Sequence, residues 1–287
     1  MRRDAGPEGH SACRRAGRPC ASIFHDCPCA RAGATAVTGW LAVAGLGPGG
    51  DALITPEVQA ALAEATDIVG YSRYVDRVPK REGLCRHASE NRMEAERSRL
   101  ALELAENGRR VVVVSSGDPG VFAMASAIFE AMEAGPGSWR ELDVRVLPGI
   151  TAMLSASARA GAPLGHDFCA INLSDNLKPW ALIEKRLRLV VEGDFACALY
   201  NPRSNARPDG FARVLELLRE LCEPGRLVIF ARAVTTSGET VRSVPLAEAN
   251  PEMADMRTVV ILGSSRTRRI ERNGLPPLVY TPRSVTE

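Results

Sequence analysis

Apolar and polar positions along the chain form short blocks that predict β-strands, each followed by a loop and a helix. Residues 111–114 are four consecutive valines, and this β-branched apolar run predicts a strand buried on both faces, as in a parallel sheet. Residues 115–120 contain two glycines and a proline that cannot continue the strand, and residues 121–134 then predict a helix. Open α/β sheets place their ligands at loops of this kind, beyond the carboxyl end of a buried strand.

The same pattern repeats through the first half of the chain. Thr55 suits a helix N-cap and Pro56 suits the first helical position, which predicts a helix start between two strands. The other predicted elements of this half are strands over residues 40–44, 68–71 and 142–147, and helices over residues 90–107 and 151–160. This repetition predicts a doubly wound parallel sheet in an N-terminal α/β domain, residues 39–150.

The second half changes character. Residues 240–244 alternate between polar and apolar side chains, which predicts a strand that pairs antiparallel with a neighbour. The other predicted elements are strands over residues 168–173, 194–200, 226–231 and 257–263, and helices over residues 180–191 and 210–222. We therefore expect a smaller mixed sheet in a C-terminal α/β domain, residues 151–287.

Composition bounds the class of protein. The 287 residues are 45% hydrophobic, which allows two domains of ordinary size. Because no apolar run approaches the roughly 18 residues needed to span a bilayer, no membrane association is predicted. The net charge of +2 gives no strong general attraction to nucleic acid. The eight cysteines lack the density of a secreted disulfide framework, which predicts a reduced, cytoplasmic protein.

Residues 1–38 differ from the rest of the chain. They are rich in Arg, Gly, Ala, Pro and Cys and follow neither a helical nor a strand period, which predicts a disordered extension. The spacing of their four cysteines matches neither CxxC pairs nor a zinc ribbon, so no metal site is predicted there.

The first glycine loop resembles a dinucleotide site only in part. Gly45 and Gly47 follow the first predicted strand, but the third glycine position is wrong and Pro48 interrupts the turn. The second strand ends in Tyr71, Ser72 and Arg73 rather than in an acidic residue, so the pattern disfavours an ordinary NAD site.

Four glycine- or proline-bearing loops follow predicted strands, and together they predict a cleft that holds a small ligand. Their sequences are Gly45-Leu-Gly-Pro-Gly49, Ser116-Gly-Asp-Pro-Gly120, Pro148-Gly-Ile-Thr151 and Ala198-Leu-Tyr-Asn-Pro202. In this order and spacing they resemble the tetrapyrrole methylases, which use S-adenosylmethionine. The resemblance covers about residues 39–284. It departs in the first loop, where Gly50 stands before Asp51 and the family usually has Asp directly after Gly-Pro-Gly.

Further runs resemble one branch of that family, which methylates carbon 17 of precorrin-3B and contracts the macrocycle in cobalamin synthesis. These runs are residues 161–169, Leu173-Ser-Asp175, residues 198–204 and residues 279–283. The resemblance implies two domains with the cofactor folded between them, and a homodimer. It leaves open a sister methylase for another ring carbon, a ribosomal-RNA methylase and a non-catalytic tetrapyrrole carrier. It also leaves open whether the substrate carries cobalt.

The resemblance implies roles for individual residues. Its cofactor contacts are Gly117, Asp118, Val121, Phe122, Thr151, Ala152, Leu199, Tyr200, Asn201, Ala233 and Thr258. The first loop is implied to face the macrocycle through Gly47, Pro48 and Gly49. Since the substrate carries several carboxylates, three arginines at predicted strand ends are expected to bind them as bidentate partners. These are Arg73, Arg203 and Arg232.

The chemistry asks for few reactive side chains. Methyl transfer from a sulfonium mainly needs alignment of the carbon nucleophile, so neither a metal nor an activated serine or cysteine is required. Ring contraction also moves protons, which makes His166, Asp167 and Asp175 candidates, together with Asp51 of the first loop. The alternatives are that His166 is a surface or capping residue and that Asp175 caps the helix near Lys178.

Overall fold

The computed structural model of the protein describes residues 39–204 and 208–284. The extension predicted to be disordered, residues 1–38, lies outside the described residues. No helix in the described part of the chain is long and apolar enough to cross a membrane.

Strands and helices alternate through most of the chain. In order they are β1 (Trp40–Gly45), α1 (Pro56–Glu64), β2 (Asp67–Tyr71), α2 (Ser72–Val75), β3 (Cys85–Ser89), α3 (Glu94–Glu106), β4 (Arg110–Ser115), α4 (Met124–Ala134), β5 (Asp143–Leu147), α5 (Ala152–Ala160), β6 (Gly161–Ala162), β7 (Phe168–Asn172), α6 (Trp180–Glu192), β8 (Ala196–Tyr200), α7 (Gly210–Leu221), β9 (Leu227–Arg232), β10 (Thr240–Pro245), β11 (Thr258–Leu262), β12 (Arg268–Arg272) and β13 (Leu275–Tyr280).

The first sheet is parallel throughout, as the valine-rich pattern predicted. Its strand order is β3-β2-β4-β1-β5, and every neighbouring pair is parallel. Helices α1 and α2 cover one face, where Val58 and Val75 join the core. Helices α3 and α4 cover the other face, where Leu102 and Ile128 are fully buried. Because both faces are covered, β1 and β4 can be apolar along nearly their whole length.

The second sheet is mixed, and its order is β10-β9-β11-β8-β7. Only β7 and β8 are parallel neighbours, and β10 pairs antiparallel with β9 as its alternation predicted. It has the five strands predicted for this half of the chain, but it equals the first sheet in strand number and is not the smaller sheet expected from the sequence. Helices α6 and α7 pack on one face, and α5 packs on the other beside a small third sheet of β12, β13 and β6.

Two helices begin later than the sequence predicts. Helix α3 starts at Glu94 rather than near residue 90, because Arg92 has a left-handed backbone (φ 68°) that a helix cannot contain. Helix α4 starts at Met124 rather than at residue 121, because Phe122 is left-handed as well (φ 54°). Strands β3, β12 and β13 were not predicted, since β3 and β12 are polar and β13 contains two prolines.

The topology gathers strand ends at two edges. All five strands of the parallel sheet end at the same edge. In the mixed sheet β8 and β9 each run antiparallel to β11, so β7, β8 and β9 share one direction. They end at Asn172, Tyr200 and Arg232, and hydrogen bonds link this edge to the loops of the parallel sheet.

Candidate functional site

Three glycines hold the loops of the parallel sheet against one another. A Cβ atom on Gly149 would lie 2.2 Å from the carbonyl oxygen of Gly117, and one on Gly45 would lie 2.5 Å from the same oxygen. Gly47 and Gly117 also exchange two backbone hydrogen bonds, of 3.2 and 2.9 Å. The loops after β1, β4 and β5 therefore form one unit whose contacts are backbone to backbone.

The carboxylate of Asp118 joins two of these loops. One oxygen accepts a hydrogen bond from the backbone N–H of Gly120 at 2.8 Å, and the other accepts from Gly149 at 3.0 Å. Asp118 thus shapes its own loop and fixes the loop after β5. The structure gives it a positioning role in addition to the cofactor contact expected from the sequence.

Tyr200, at the end of β8, connects the mixed sheet to the start of α5. Its hydroxyl lies 2.6 Å from the Thr151 hydroxyl and accepts a hydrogen bond from the N–H of Met153 at 3.0 Å. Its ring lies edge-on to the ring of Phe122, with centroids 5.2 Å apart. Burial raises the pKa of Tyr200, against the opposing effect of its hydrogen bond with Thr151, so the phenol stays protonated at neutral pH.

The first loop also meets the mixed sheet. The N–H of Gly50 donates to the hydroxyl oxygen of Thr235 at 3.1 Å, and Gly49 lies so close to Thr236 that a Cβ would approach its methyl group to 2.5 Å. On the other side, the Arg77 guanidinium donates to the carbonyl of Leu46 at 2.8 Å. Sequence reasoning missed both Arg77 and Thr235, because neither residue belongs to a glycine loop or follows a predicted strand directly.

Strained backbone is concentrated at these loops. Four non-glycine residues around the facing edges have positive φ angles: Phe122 (54°), Asn201 (52°), Ala233 (49°) and Thr235 (65°). A left-handed backbone is costly for such residues, most of all for the β-branched Thr235, and it tends to persist where function requires the geometry. Three of the four, Phe122, Asn201 and Ala233, are among the cofactor contacts expected from the sequence.

Most of the expected site residues lie at the facing edges. They are Gly47, Pro48, Gly49, Asp51, Arg73, Gly117, Asp118, Val121, Phe122, Thr151, Ala152, Asp175, Tyr200, Asn201, Arg203 and Ala233. Leu199 is fully buried within β8 and pairs with Ile171 and Val260 of the two neighbouring strands, so its side chain does not face a ligand. Asp51 is exposed and pairs with Arg77 at 3.4 Å, so it also helps to hold the first loop.

Two expected residues, Arg232 and Thr258, both bond to the carboxylate of Asp255. The Arg232 guanidinium forms an ion pair with Asp255 at 2.7 Å. Thr258 is buried, and its hydroxyl donates to the other oxygen of Asp255 at 2.8 Å. Arg73 and Arg203, by contrast, make no hydrogen bond or ion pair within the described parts of the chain, so their guanidinium groups remain available.

The proton-transfer candidates fall at opposite edges of the mixed sheet. His166 and Asp167 directly precede β7, and the His166 Nδ1 accepts a hydrogen bond from the N–H of Asp167 at 2.7 Å. Asp175 follows the carboxyl end of β7, on the edge that carries Tyr200. A strand of five residues separates the two positions by about 17 Å. The structure therefore places Asp175, and not His166 or Asp167, at the edge of the mixed sheet that carries Tyr200.

The profile of the Tetrapyrrole (Corrin/Porphyrin) Methylases matches residues 41–250. The chain belongs to this family. It is 51% identical to the precorrin-3B C(17)-methyltransferase of Sinorhizobium sp, over 86% of this chain and 97% of that protein. A solved structure described as the methyltransferase CobJ is 65% identical and covers 85% of this chain and all of its own, with a TM-score of 0.82.

A further relative of this methylase differs in its named substrate. The "Probable cobalt-factor III C(17)-methyltransferase" of Salmonella typhimurium is 36% identical, over 86% of this chain and 99% of that protein. The relatives therefore include one protein named for precorrin-3B and one named for cobalt-factor III.

Removal of the Tyr200 hydroxyl tests the link between the two sheets of the methylase. We expect Tyr200→Phe to lower the free energy of unfolding by about 1 kcal/mol, because Met153 loses its acceptor while the ring still packs against Phe122. Chemical denaturation measures this change. The same variant should weaken cofactor binding in calorimetry, whereas unchanged binding would exclude the α5 start from the cofactor site.

Proposed function

We propose that this protein is an S-adenosylmethionine-dependent methyltransferase that methylates carbon 17 of precorrin-3B and contracts the ring to precorrin-4 in cobalamin biosynthesis. The observation that carries the proposal is the joining of the four family loops by Gly45, Gly117 and Gly149 on one side and Tyr200 on the other. The same chain is 51% identical to a precorrin-3B C(17)-methyltransferase over 97% of that relative's length.

The described residues fit the expected cofactor. Helices α4 and α5 begin at Met124 and Ala152 without side-chain caps, so the N–H groups of these two residues can receive a carboxylate such as that of a methionine group. The next N–H groups, of Ala125 and Met153, already donate to Pro119 and Tyr200. The exposed ring of Phe122 beside Tyr200 offers an aromatic surface that attracts a sulfonium cation. When bound, S-adenosylmethionine supplies an already activated methyl group.

The chain's own contribution is alignment. Loops held by backbone contacts keep bound reactants in one orientation, and well-oriented reactions reach effective molarities of about 10⁵ M or more. The Tyr200 hydroxyl and the Asp118 carboxylate fix the two loops nearest α4 and α5. Arg73 and Arg203 have guanidinium groups available for the carboxylates of the macrocycle. Asp175 is the proton-transfer group that the geometry favours, because it shares an edge with Tyr200.

The direct test is an assay with purified protein, methyl-labelled S-adenosylmethionine and precorrin-3B, followed by mass spectrometry and NMR of the product. We expect one labelled methyl group at carbon 17 and a contracted ring. A methyl group on another carbon would keep the family and replace the proposed substrate position. Binding of the tetrapyrrole without transfer would favour a carrier instead.

The two edges of the mixed sheet can be compared by mutation. We expect Asp175→Asn to lower kcat by about a hundredfold, because a positioned proton-transfer group contributes at least that much. His166→Ala, at the opposite edge, should leave kcat within about twofold. Steady-state rates under saturating cofactor measure both variants, and the reverse order of effects would return the catalytic role to His166.

The relative named for cobalt-factor III favours a second candidate substrate, the cobalt-bearing ring. The same assay with cobalt-factor III in place of precorrin-3B distinguishes the two by their kcat/KM. We also propose a homodimer, on the ground of the family resemblance, and light scattering of the purified protein measures it.

A further inference from the structure

We propose that Glu239 is a positioning residue for this methyltransferase: it holds Thr235, and through Thr235 it sets the first glycine loop against the mixed sheet. The inference rests on the proposed function for its kinetic effect, but its structural effect can be measured without any substrate. Neither residue belongs to the glycine loops by which the family was recognised.

The starting observation is the strained backbone of Thr235. Its φ of 65° is a left-handed conformation that a β-branched side chain strongly disfavours. Such a conformation persists only where the surroundings hold it. The strain therefore calls for a partner that fixes this turn.

Glu239 is that partner. One carboxylate oxygen, Oε2, accepts the backbone N–H of Thr235 at 2.5 Å. The same oxygen accepts from Nε of Arg159, in the last turn of α5, at 3.1 Å. The Glu239 backbone also donates to the carbonyl of Thr236 at 3.1 Å, which keeps the turn compact. Because helix α5 is joined to Tyr200 at its other end, Glu239 anchors the turn to an element that is itself fixed.

Thr235 passes this anchoring on to the first loop. Its hydroxyl oxygen accepts the N–H of Gly50, 185 positions away in the sequence. In the described chain this is the one side-chain hydrogen bond from residues 46–54 to the mixed sheet. The first loop is in turn bonded to Gly117 of the cofactor loop. A displaced Thr235 would thus shift the loop expected to face the macrocycle relative to the methyl donor.

Hydrogen exchange tests the structural half of the proposal on the protein alone. We expect Thr235→Ala and Glu239→Ala to speed amide exchange in the peptide covering residues 46–54 by about tenfold, since Gly50 loses its acceptor or the acceptor loses its support. Thr235→Ser keeps the hydroxyl and should restore most of the protection. Glu184→Ala, which removes an exposed pair with Arg188 on α6, is the matched control and should change nothing in that peptide.

Kinetics test the positioning half. We expect Thr235→Ala and Glu239→Ala to lower kcat by about tenfold with little change in the KM for cofactor, because the reacting groups are misaligned rather than unbound. Glu239→Gln keeps an acceptor for Thr235 and should recover part of the rate. Wild-type exchange rates at residues 46–54 in both alanine variants, or unchanged kcat in Thr235→Ala, would overturn the inference. A wild-type protein that fails to methylate the macrocycle overturns the proposed function and leaves the exchange result standing.

Discussion

Gly149→Ala should abolish measurable methyl transfer, a loss well beyond about a hundredfold. The new Cβ atom would lie 2.2 Å from the Gly117 carbonyl oxygen and 2.8 Å from that of Gly45. These neighbours are backbone atoms of two other loops, so no side chain can rotate away. The loops must separate, and a displacement of about 1 Å at a reacting centre already costs about a hundredfold in rate.

The same substitution should lower the free energy of unfolding by about 1–3 kcal/mol, the usual cost of forcing atoms into a packed region. Rates with labelled cofactor and denaturant titration measure the two effects separately. Gly137→Ala is the control, because a Cβ at that exposed glycine meets nothing within 4 Å. Full activity of Gly149→Ala would mean that the three loops need not touch for catalysis.

Asp67→Ala should lower the free energy of unfolding by about 3 kcal/mol without a comparable loss of kcat. Asp67 is almost fully buried at the start of β2 and accepts hydrogen bonds from Arg109, His87 and Thr66 at 2.8, 2.8 and 2.7 Å. Removing one partner of a buried charge pair typically costs about 3–5 kcal/mol, and partial exposure of Arg109 favours the lower value. The start of β2 lies at the edge of the sheet opposite the loops that follow β1, β4 and β5, so we expect kcat to change little.

The same residue gives an acid dependence of stability. Burial raises the pKa of Asp67, but the hydrogen bonds from His87, Thr66 and Arg109 outweigh it and hold the pKa below its ordinary value of 3.8. Stability from this group is therefore complete above pH 3.8 and is lost as the pH falls below that value. Unfolding curves of wild type and Asp67→Asn should converge in acid.

Asp143→Ala is the control for Asp67→Ala. It removes an exposed pair with Arg145 and should lower the free energy of unfolding by at most about 1 kcal/mol. If Asp67→Ala lowers the free energy of unfolding no more than this control does, the buried hydrogen bonds of Asp67 do not stabilise the fold.

The sequence predicted the elements whose pattern is strong and local. The valines of β4 and the Thr55–Pro56 helix start were placed within a residue or two, and the family loops were found at the strand ends. Strand β3 was missed because it is a polar edge strand with no buried residue, and β13 was missed because Pro276 and Pro277 argue against a strand.

Parts of the candidate site could not be predicted for a different reason. Thr235, Glu239 and Arg77 act through partners far away in the sequence, and no spacing rule connects positions 50 and 235. Residue type alone also could not predict which arginines are free to bind a substrate. A guanidinium such as that of Arg232 binds a carboxylate of the protein, here Asp255, as well as one of a substrate. The register of β9 against β11 places Arg232 opposite Thr258, which itself bonds to Asp255, and this pairing is not visible in the sequence.

The 185-residue separation between Gly50 and Thr235 has a consequence for the order of assembly during synthesis. The parallel sheet, residues 40–147, contains its own strand partners and can begin to form while the ribosome is still translating the second half. Closure of the first loop against the mixed sheet must wait until Thr235 has emerged, because that contact carries the entropy cost of a very long loop. The nascent chain can thus form its parallel sheet early, whereas the contact between the first loop and Thr235 forms last.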